Sequence, residues 1–300
     1  MTEVKNMRIT KGFTESAPRV SGLKRFIRVF FSRGVVIFGF FIVVLVLVAA
    51  VFSPWVAPHD PHELDLSRSF EQPSLEHPLG TDSLGRDTLS RIIYGSRASL
   101  LVGIGAIAIA ATIGISLGLI AGYFGGFTYT AIMRFMDTMM AFPMILLALA
   151  IAALLGGGLI NVMIAIGFLG IPAYARLMCG QILSLREQDF ISASRAIGAG
   201  SLRIMLRHLA PNSLSPIIVQ ISMMMGYIIL VEASLSFLGV GIEAPTAAWG
   251  SMVSSGYQYL LKSPVLSFAP GLAIMLTVFA FNMVGDGLRD ALDPRLRGTI

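Results

Sequence analysis

Hydrophobic positions along the chain gather into six long runs, at 35–52, 100–123, 138–155, 160–178, 214–237 and 268–284. A helix needs about 20 apolar residues to cross about 30 Å of hydrocarbon. Each run therefore predicts one membrane-spanning helix. Only Gly156, Gly157, Gly158 and Leu159 separate the third run from the fourth, which predicts a tight antiparallel hairpin. The first run follows 34 residues, more than the basic head of a cleavable leader, and reads as a retained span.

Composition points to the same solvent. Of 300 residues, 55% are hydrophobic and 13% charged, with a mean hydropathy of +0.78. Soluble domains carry about 25% charged residues. This chain has too little polar surface for a water-facing globule, which excludes a soluble enzyme, a disordered chain and a fibrous one. The single cysteine, Cys179, excludes a disulfide framework and a multi-cysteine metal site, and reads as a small apolar residue in a helix.

Charge sets direction. The 22 Lys and Arg divide into 17 on one side of the six spans and five on the other. The rich side holds Lys5, Arg8, Lys11, Arg19, Lys24, Arg25, Arg28 and Arg33 before the first span and Arg134 between the second and third. It also holds Arg176, Arg186, Arg195, Arg203 and Arg207 around the fourth-to-fifth connection, and Arg289, Arg295 and Arg297 at the end. The poor side holds Arg68, Arg86, Arg91, Arg97 and Lys262, beside seven acids between Asp60 and Asp87. The positive-inside rule makes the rich side cytoplasmic, with both termini inside. The net charge of +5 is thus an orientation signal rather than a nucleic-acid footprint.

The longest stretch without a span, 183–216, has helical periodicity. Phe190, Ala193, Ala196 and Ile197 share one face, and Gly198, Ala199 and Gly200 interrupt it. Ser201 is placed to cap a second helix, in which Leu202, Met205, Leu206 and Leu209 recur at i, i+3, i+4 and i+7 until Pro211 stops it. The prediction is helix, glycine turn, helix, whose apolar ridge lies in a partner's groove or on the membrane.

Ser192-Ala193-Ser194, three residues, Gly198, nine residues, then His208-Leu209-Ala210-Pro211 resembles the EAA loop of bacterial ABC importer permeases. The family pattern is Glu-Ala-Ala, then Gly, then Ile-x-Leu-Pro at the same spacing. Here Ser192 replaces the glutamate, Ser194 the second alanine, His208 the isoleucine and Ala210 the leucine. The family glutamate's contact has no direct counterpart; Glu187 and Asp189 are the nearby acids. LGTDSLGRDTLSRIIYGSRASL (79–100), EASLSFLGVGIEAPTAAWGSM (232–252) and FNMVGDGLRDALDPRLRG (281–298) are similar to the C-type permease of dipeptide and oligopeptide importers. The resemblance covers nearly all the chain after about residue 25.

That resemblance implies an all-α integral membrane subunit with six spans: a type I ABC importer core plus an extra N-terminal span. The chain would divide into a cytoplasmic tail (1–34), a first span (35–52), a periplasmic segment (53–99), a five-span core (100–288) and a cytoplasmic tail (289–300). It implies a homologous second permease, two cytoplasmic ATPase subunits, and a periplasmic or lipid-anchored substrate-binding protein. Location would be the bacterial inner membrane, and transport would proceed by alternating access. Ser192, Ala193, Ser194, Arg195, Gly198, Ala199, Gly200 and Leu202 would meet the ATPase. Nickel, glutathione and sugar remain alternative solutes within the family. An ion-coupled secondary transporter is the rival from another class, but it needs acids near mid-bilayer.

Other residues bear on chemistry. The chain contains no G-x-x-x-x-G-K-[ST] sequence, so ATP hydrolysis is assigned to a partner and no cofactor is expected. No nucleophile with a placed base is evident, so no catalytic residue is assigned. His59, Asp60, His62, Glu63 and Asp65 carry metal-ligand chemistry, but Pro61 and solvation argue against a site. Glu232, the one acid inside a span, either faces the translocation cavity or reaches the headgroups. Asp82 or Asp87 is expected to cap a short external helix carrying Leu89, Ile92 and Ile93. Arg134 is expected to pair with Asp137, and Arg289 with Asp286 or Asp290. Gly114, Gly118 and Gly122 recur every four residues, the spacing of close helix packing in lipid.

Overall fold

The computed structural model describes residues 22–242 and 244–292. Lys5, Arg8, Lys11, Arg19, Asp293, Arg295 and Arg297 lie outside the described residues. The described chain is helical, with one isolated antiparallel bridge between Thr81 and Asp87. The long elements are α1 (Gly22–Phe30), α2 (Gly34–Val51), α3 (Thr88–Phe124), α4 (Gly126–Met140), α5 (Met144–Leu155) and α6 (Leu159–Leu185). They continue with α7 (Asp189–Ala196), α8 (Leu214–Phe237), α9 (Trp249–Tyr257) and α10 (Val265–Leu292).

Among the described residues, five helices are long and apolar enough to cross a membrane: α2, α3, α6, α8 and α10. The expected third span is different. It is the pair α4 and α5, bent by 88°. Pro143 occupies the break and has no backbone N–H, and the residue before a proline is steered out of helical geometry. The two halves hold 15 and 12 residues, so neither alone reaches across the hydrocarbon. Pro172, by contrast, lies within the continuous α6.

The second span is also longer than expected. The separate external helix merges with it into 37 residues, roughly 55 Å at 1.5 Å per residue. Of the two candidate caps, Asp87 is the one used: its Oδ2 accepts from the Ser90 amide at 2.7 Å. Asp82 instead accepts from Arg86 Nε at 2.7 Å.

The most extensive helix contact joins α3 to α6. It depends on the glycine repeat. A Cβ on Gly118 would stand 2.3 Å from the Ala175 carbonyl oxygen, and one on Gly114 would stand 2.6 Å from that of Ile171. On Gly122 it would meet Ile182 Cβ at 2.7 Å. Without a hydrophobic driving force in lipid, close backbone approach is what holds helices together. Against this pair pack α8 and, through α8 and α2, α10.

Two expected ion pairs are replaced by longer-range ones. Asp137 pairs with Arg176 of α6 rather than with Arg134. Asp290 pairs with Arg33, at 3.1 Å, so the last helix is tied to the connection before α2. Sequence spacing favours i, i+3 partners, but arginine reach and packing decided otherwise.

The seam makes a testable distinction. Gly118→Val should lower the melting temperature in detergent by several degrees, in line with an overpacking cost of ~1–3 kcal/mol. Gly180→Ala on α6, where an added Cβ meets nothing within 4 Å, should leave it unchanged. Thermal unfolding followed by circular dichroism checks the pair.

Candidate functional site

The connection from α6 to α8 is built from short helical pieces. After α7 come Ser201–Arg203, a π-helical stretch Ile204–Leu209 and Ala210–Asn212. The glycine turn has a defined geometry. Gly198 takes φ +82°, its amide donates to the Arg195 carbonyl at 2.9 Å, and the Ala199 amide donates to that of Ser194 at 3.0 Å. This paired pattern is a Schellman ending, in which the left-handed residue is normally glycine. Ser201 does not cap the next helix; Gly200 is at the cap position with no side-chain bond.

The apolar stripe expected in the second helix is split. Met205 and Leu209 are buried, together with Ile204, but Leu202 and Leu206 are 66% and 58% exposed. The π-helical turn explains this. It holds an extra residue, which displaces later side chains by about 100°. Ile204 and Leu209, five apart, thus fall on one face. The wide turn ends two residues before Pro211, which cannot donate to the helix ladder. Pro211 does not end the helical path, which resumes as α8 one residue after Asn212.

The segment therefore has two faces. Its underside, Ile191, Ile204, Met205 and Leu209, packs with Leu119 of α3, Met178 and Ile182 of α6 and Ile217 of α8. Its outer side leaves Phe190, Ile197, Leu202 and Leu206 in the open. Ser192, Ala193, Arg195, Gly198 and Gly200 are exposed beside them, and Ser194 and Ala199 are half-buried. Ser194 Oγ donates to the Phe190 carbonyl at 2.7 Å. Two cations brace the ends: Arg195 lies 5.7 Å over the Tyr123 ring, and Arg186 donates to the Gly122 carbonyl at 3.1 Å.

Glu232 is fully buried between α3 and α8. Ser236 Oγ donates to its Oε1 at 2.8 Å and Ser99 Oγ to its Oε2 at 3.3 Å. Ser236 Oγ in turn accepts from the Ile242 amide at 3.1 Å. The carboxyl thus ties α3, α8 and the loop after α8 into one network. Ser236 was legible as an i, i+4 partner; Ser99, 133 residues away, was not.

On the side of the 53–87 segment, a cavity of about 370 Å³ is lined by Asp82, Arg86, Arg91, Ser255 and Tyr259 among others. Trp249 Nε1 donates to the Ile92 carbonyl at 2.9 Å and holds α9 against α3. Nearby, Arg68 bridges Glu76 at 2.7 Å and Glu71 at 2.9 Å. The hydrogen bond from Arg68 holds the Glu76 carboxyl down at about 2.

Residues 114–298 match the family described as binding-protein-dependent transport system inner membrane component. Residues 21–73 match the N-terminal transmembrane domain of oligopeptide transport permease C. The chain is 46% identical over 261 residues to a dipeptide transport system permease protein of Alkalihalophilus pseudofirmus, covering 87% of this chain and 86% of that one. It is 44% identical over 283 residues to a di/tripeptide transport system permease protein of Pseudomonas aeruginosa, covering 92% and 93%. It is 45% identical over 257 residues to a glutathione transport system permease protein of Escherichia coli O157:H7, covering 85% of each. Among solved structures, the MetNI methionine ABC transporter in inward-facing conformations shares the fold, with a TM-score of 0.50 and 18% identity over 69% of this chain and 93% of that one.

The buried carboxyl gives a prediction. Ser236→Ala leaves Glu232 with one donor and the Ile242 amide with none, at a cost of ~1–3 kcal/mol for the unsatisfied groups. A lower detergent melting temperature is expected for Ser236→Ala, and a smaller drop for Ser99→Ala, whose bond is longer. Unchanged unfolding curves for both variants would remove the network.

Proposed function

The chain belongs to the family of binding-protein-dependent transport system inner membrane components, and from that membership we propose that it forms one half of the pathway of an ATP-driven importer of short peptides. The observation that carries the reading is the two-faced segment after α6. One face is fixed to α3, α6 and α8. The other presents Phe190, Ile197, Leu202 and Leu206 with nothing of the described residues over them. An apolar helical ridge of that kind fits a groove in a partner. A push on it moves three spanning helices together, because the buried underside leaves little room for slip.

The partners in this reading are a homologous second permease, two cytoplasmic ATPase subunits and a substrate-binding protein outside. Ser192, Ala193, Ser194, Arg195, Gly198, Ala199, Gly200 and Leu202 meet the ATPase. Closure of the ATPase pair drives the segment and opens the pathway outward; hydrolysis resets it inward. Both termini lie in the cytoplasm by the distribution of Lys and Arg. Short peptide is the favoured cargo because relatives are named for dipeptides, di/tripeptides and glutathione, itself a tripeptide. The chain's own part is positioning and force transmission, with no covalent step.

Leu202→Glu tests the reading. The residue is exposed, so insertion and helix content should be unchanged. Uptake of labelled dipeptide and stimulation of the ATPase by the assembled complex should fall about tenfold or more, as when one apolar anchor of an interface is lost. Full uptake by this variant would refute the coupling role. Accumulation of nickel but not of peptide by the unmodified complex would move the cargo to another solute.

A further inference from the structure

The segment between α2 and α3 brings together side chains that the transport reading does not use. His59, His77 and Asp87 each offer a donor atom within 4.8 Å of the others. They come from points 18 and 28 residues apart in sequence, so folding alone assembles them. His77 is 5% exposed and Asp87 2%. The His59 amide donates to Ser90 Oγ at 3.0 Å, which fixes this end of the segment to the first turn of α3.

The hydrogen bonds define the tautomers. His77 Nδ1 lies 2.8 Å from Asp87 Oδ1. A carboxylate accepts only, so Nδ1 carries the proton and Nε2 of a neutral ring is left as a bare lone pair. That Nε2 is buried without a hydrogen-bond partner among the described residues. His59 Nε2 lies 2.9 Å from the Glu76 carbonyl oxygen, again an acceptor, which leaves His59 Nδ1 bare. The two rings are 4.5 Å apart between centroids and tilted by 34°. Glu71 Oε2 stands 4.0 Å from His77 Nε2, too far for a hydrogen bond. His59, His77 and Asp87 edge a pocket also lined by Asp60, Glu63, Asp65, Arg68 and Glu76, and Glu71, ion-paired with Arg68, stands beside it.

A buried imidazole whose far nitrogen is held by a carboxylate, while its near nitrogen is unpaired, has the arrangement of a metal-binding histidine. We propose that His59 and His77, with Glu71 as the carboxylate ligand and Asp87 as the positioning residue behind His77, bind one divalent transition-metal ion of the zinc class. Two imidazole nitrogens and a carboxylate suit zinc and exclude preference for magnesium or calcium, which favour all-oxygen shells. Tetrahedral ligands around zinc stand about 3.3 Å apart, so loading draws Glu71 Oε2 and His77 Nε2 in from 4.0 Å. The ion would tie residue 59 to the N-terminus of α3 and close the segment between them. This inference is independent of the cargo and of the coupling role.

The experiment is a titration of the full-length chain, purified in detergent with a histidine-free tag, with Co²⁺ as the absorbing probe and Zn²⁺ as competitor. One equivalent of Co²⁺ should give a visible ligand-field band that Zn²⁺ abolishes. His77→Gln and His59→Gln should each weaken binding by at least tenfold. Asp87→Asn keeps an oxygen for the helix cap and should weaken binding about 10–100-fold. His62→Gln should bind as the unmodified chain does. Should His77→Gln disturb the fold by circular dichroism, the half-exposed His59 decides alone. No band at stoichiometric Co²⁺ would overturn the site and leave His77 as a structural partner of Asp87. Equal weakening by His62→Gln would overturn it as adsorption to surface histidines.

Discussion

The close approach of α3 and α6 is the contact on which the other elements depend. In lipid, burying leucine against leucine gains little over leaving it in hydrocarbon, so close packing has to hold the pair. Gly114, Gly118 and Gly122 remove the side chains that would keep the backbones apart, and Gly167 and Gly170 do the same from the other helix. The result is a rigid two-helix unit roughly 55 Å long on one side. The N-terminal end of α3 carries the Asp87 cap and receives Trp249; its C-terminal end carries Leu119 and Tyr123, on which the connecting segment rests.

That geometry links the two faces of the membrane through one helix. The Glu232 network joins α3 to α8 near the N-terminal end of α3, and the apolar underside of the connecting segment joins α3, α6 and α8 near its C-terminal end. In the proposed coupling role, a displacement at the exposed Leu202 and Leu206 would pass into three helices at once. The bent pair α4 and α5 stands apart from this unit in form. Its 88° break at Pro143 supplies a discontinuity in a molecule whose other spanning helices are unbroken.

Buried polar groups are few among the described residues, and most have company. Glu232 has two hydroxyl donors, and Arg186 reaches a carbonyl at the end of α3. His77 Nε2 is an exception, along with the hydroxyls of Thr88 and Tyr174. A buried imidazole nitrogen with no partner is costly unless something else satisfies it, which is why the 59–87 segment stands out from an otherwise well-paired surface.

Much of this was legible in residue order. Uninterrupted apolar runs fixed where helices cross, because a lipid solvent demands internally paired backbone and about 20 residues of length. The four-residue glycine period announced the seam, and Gly198 announced the turn, because both are local backbone requirements. Tertiary structure decided what depends on distant partners. Asp137 met Arg176 instead of Arg134, and Asp290 met Arg33, because arginine reaches across helices as readily as along them. Leu202 and Leu206 turned outward because a π-helical turn before Pro211 shifted the register that an ideal 3.6-residue period assumes. Ser99 found Glu232, and His59 found His77, only once packing had brought separate stretches of chain to one place.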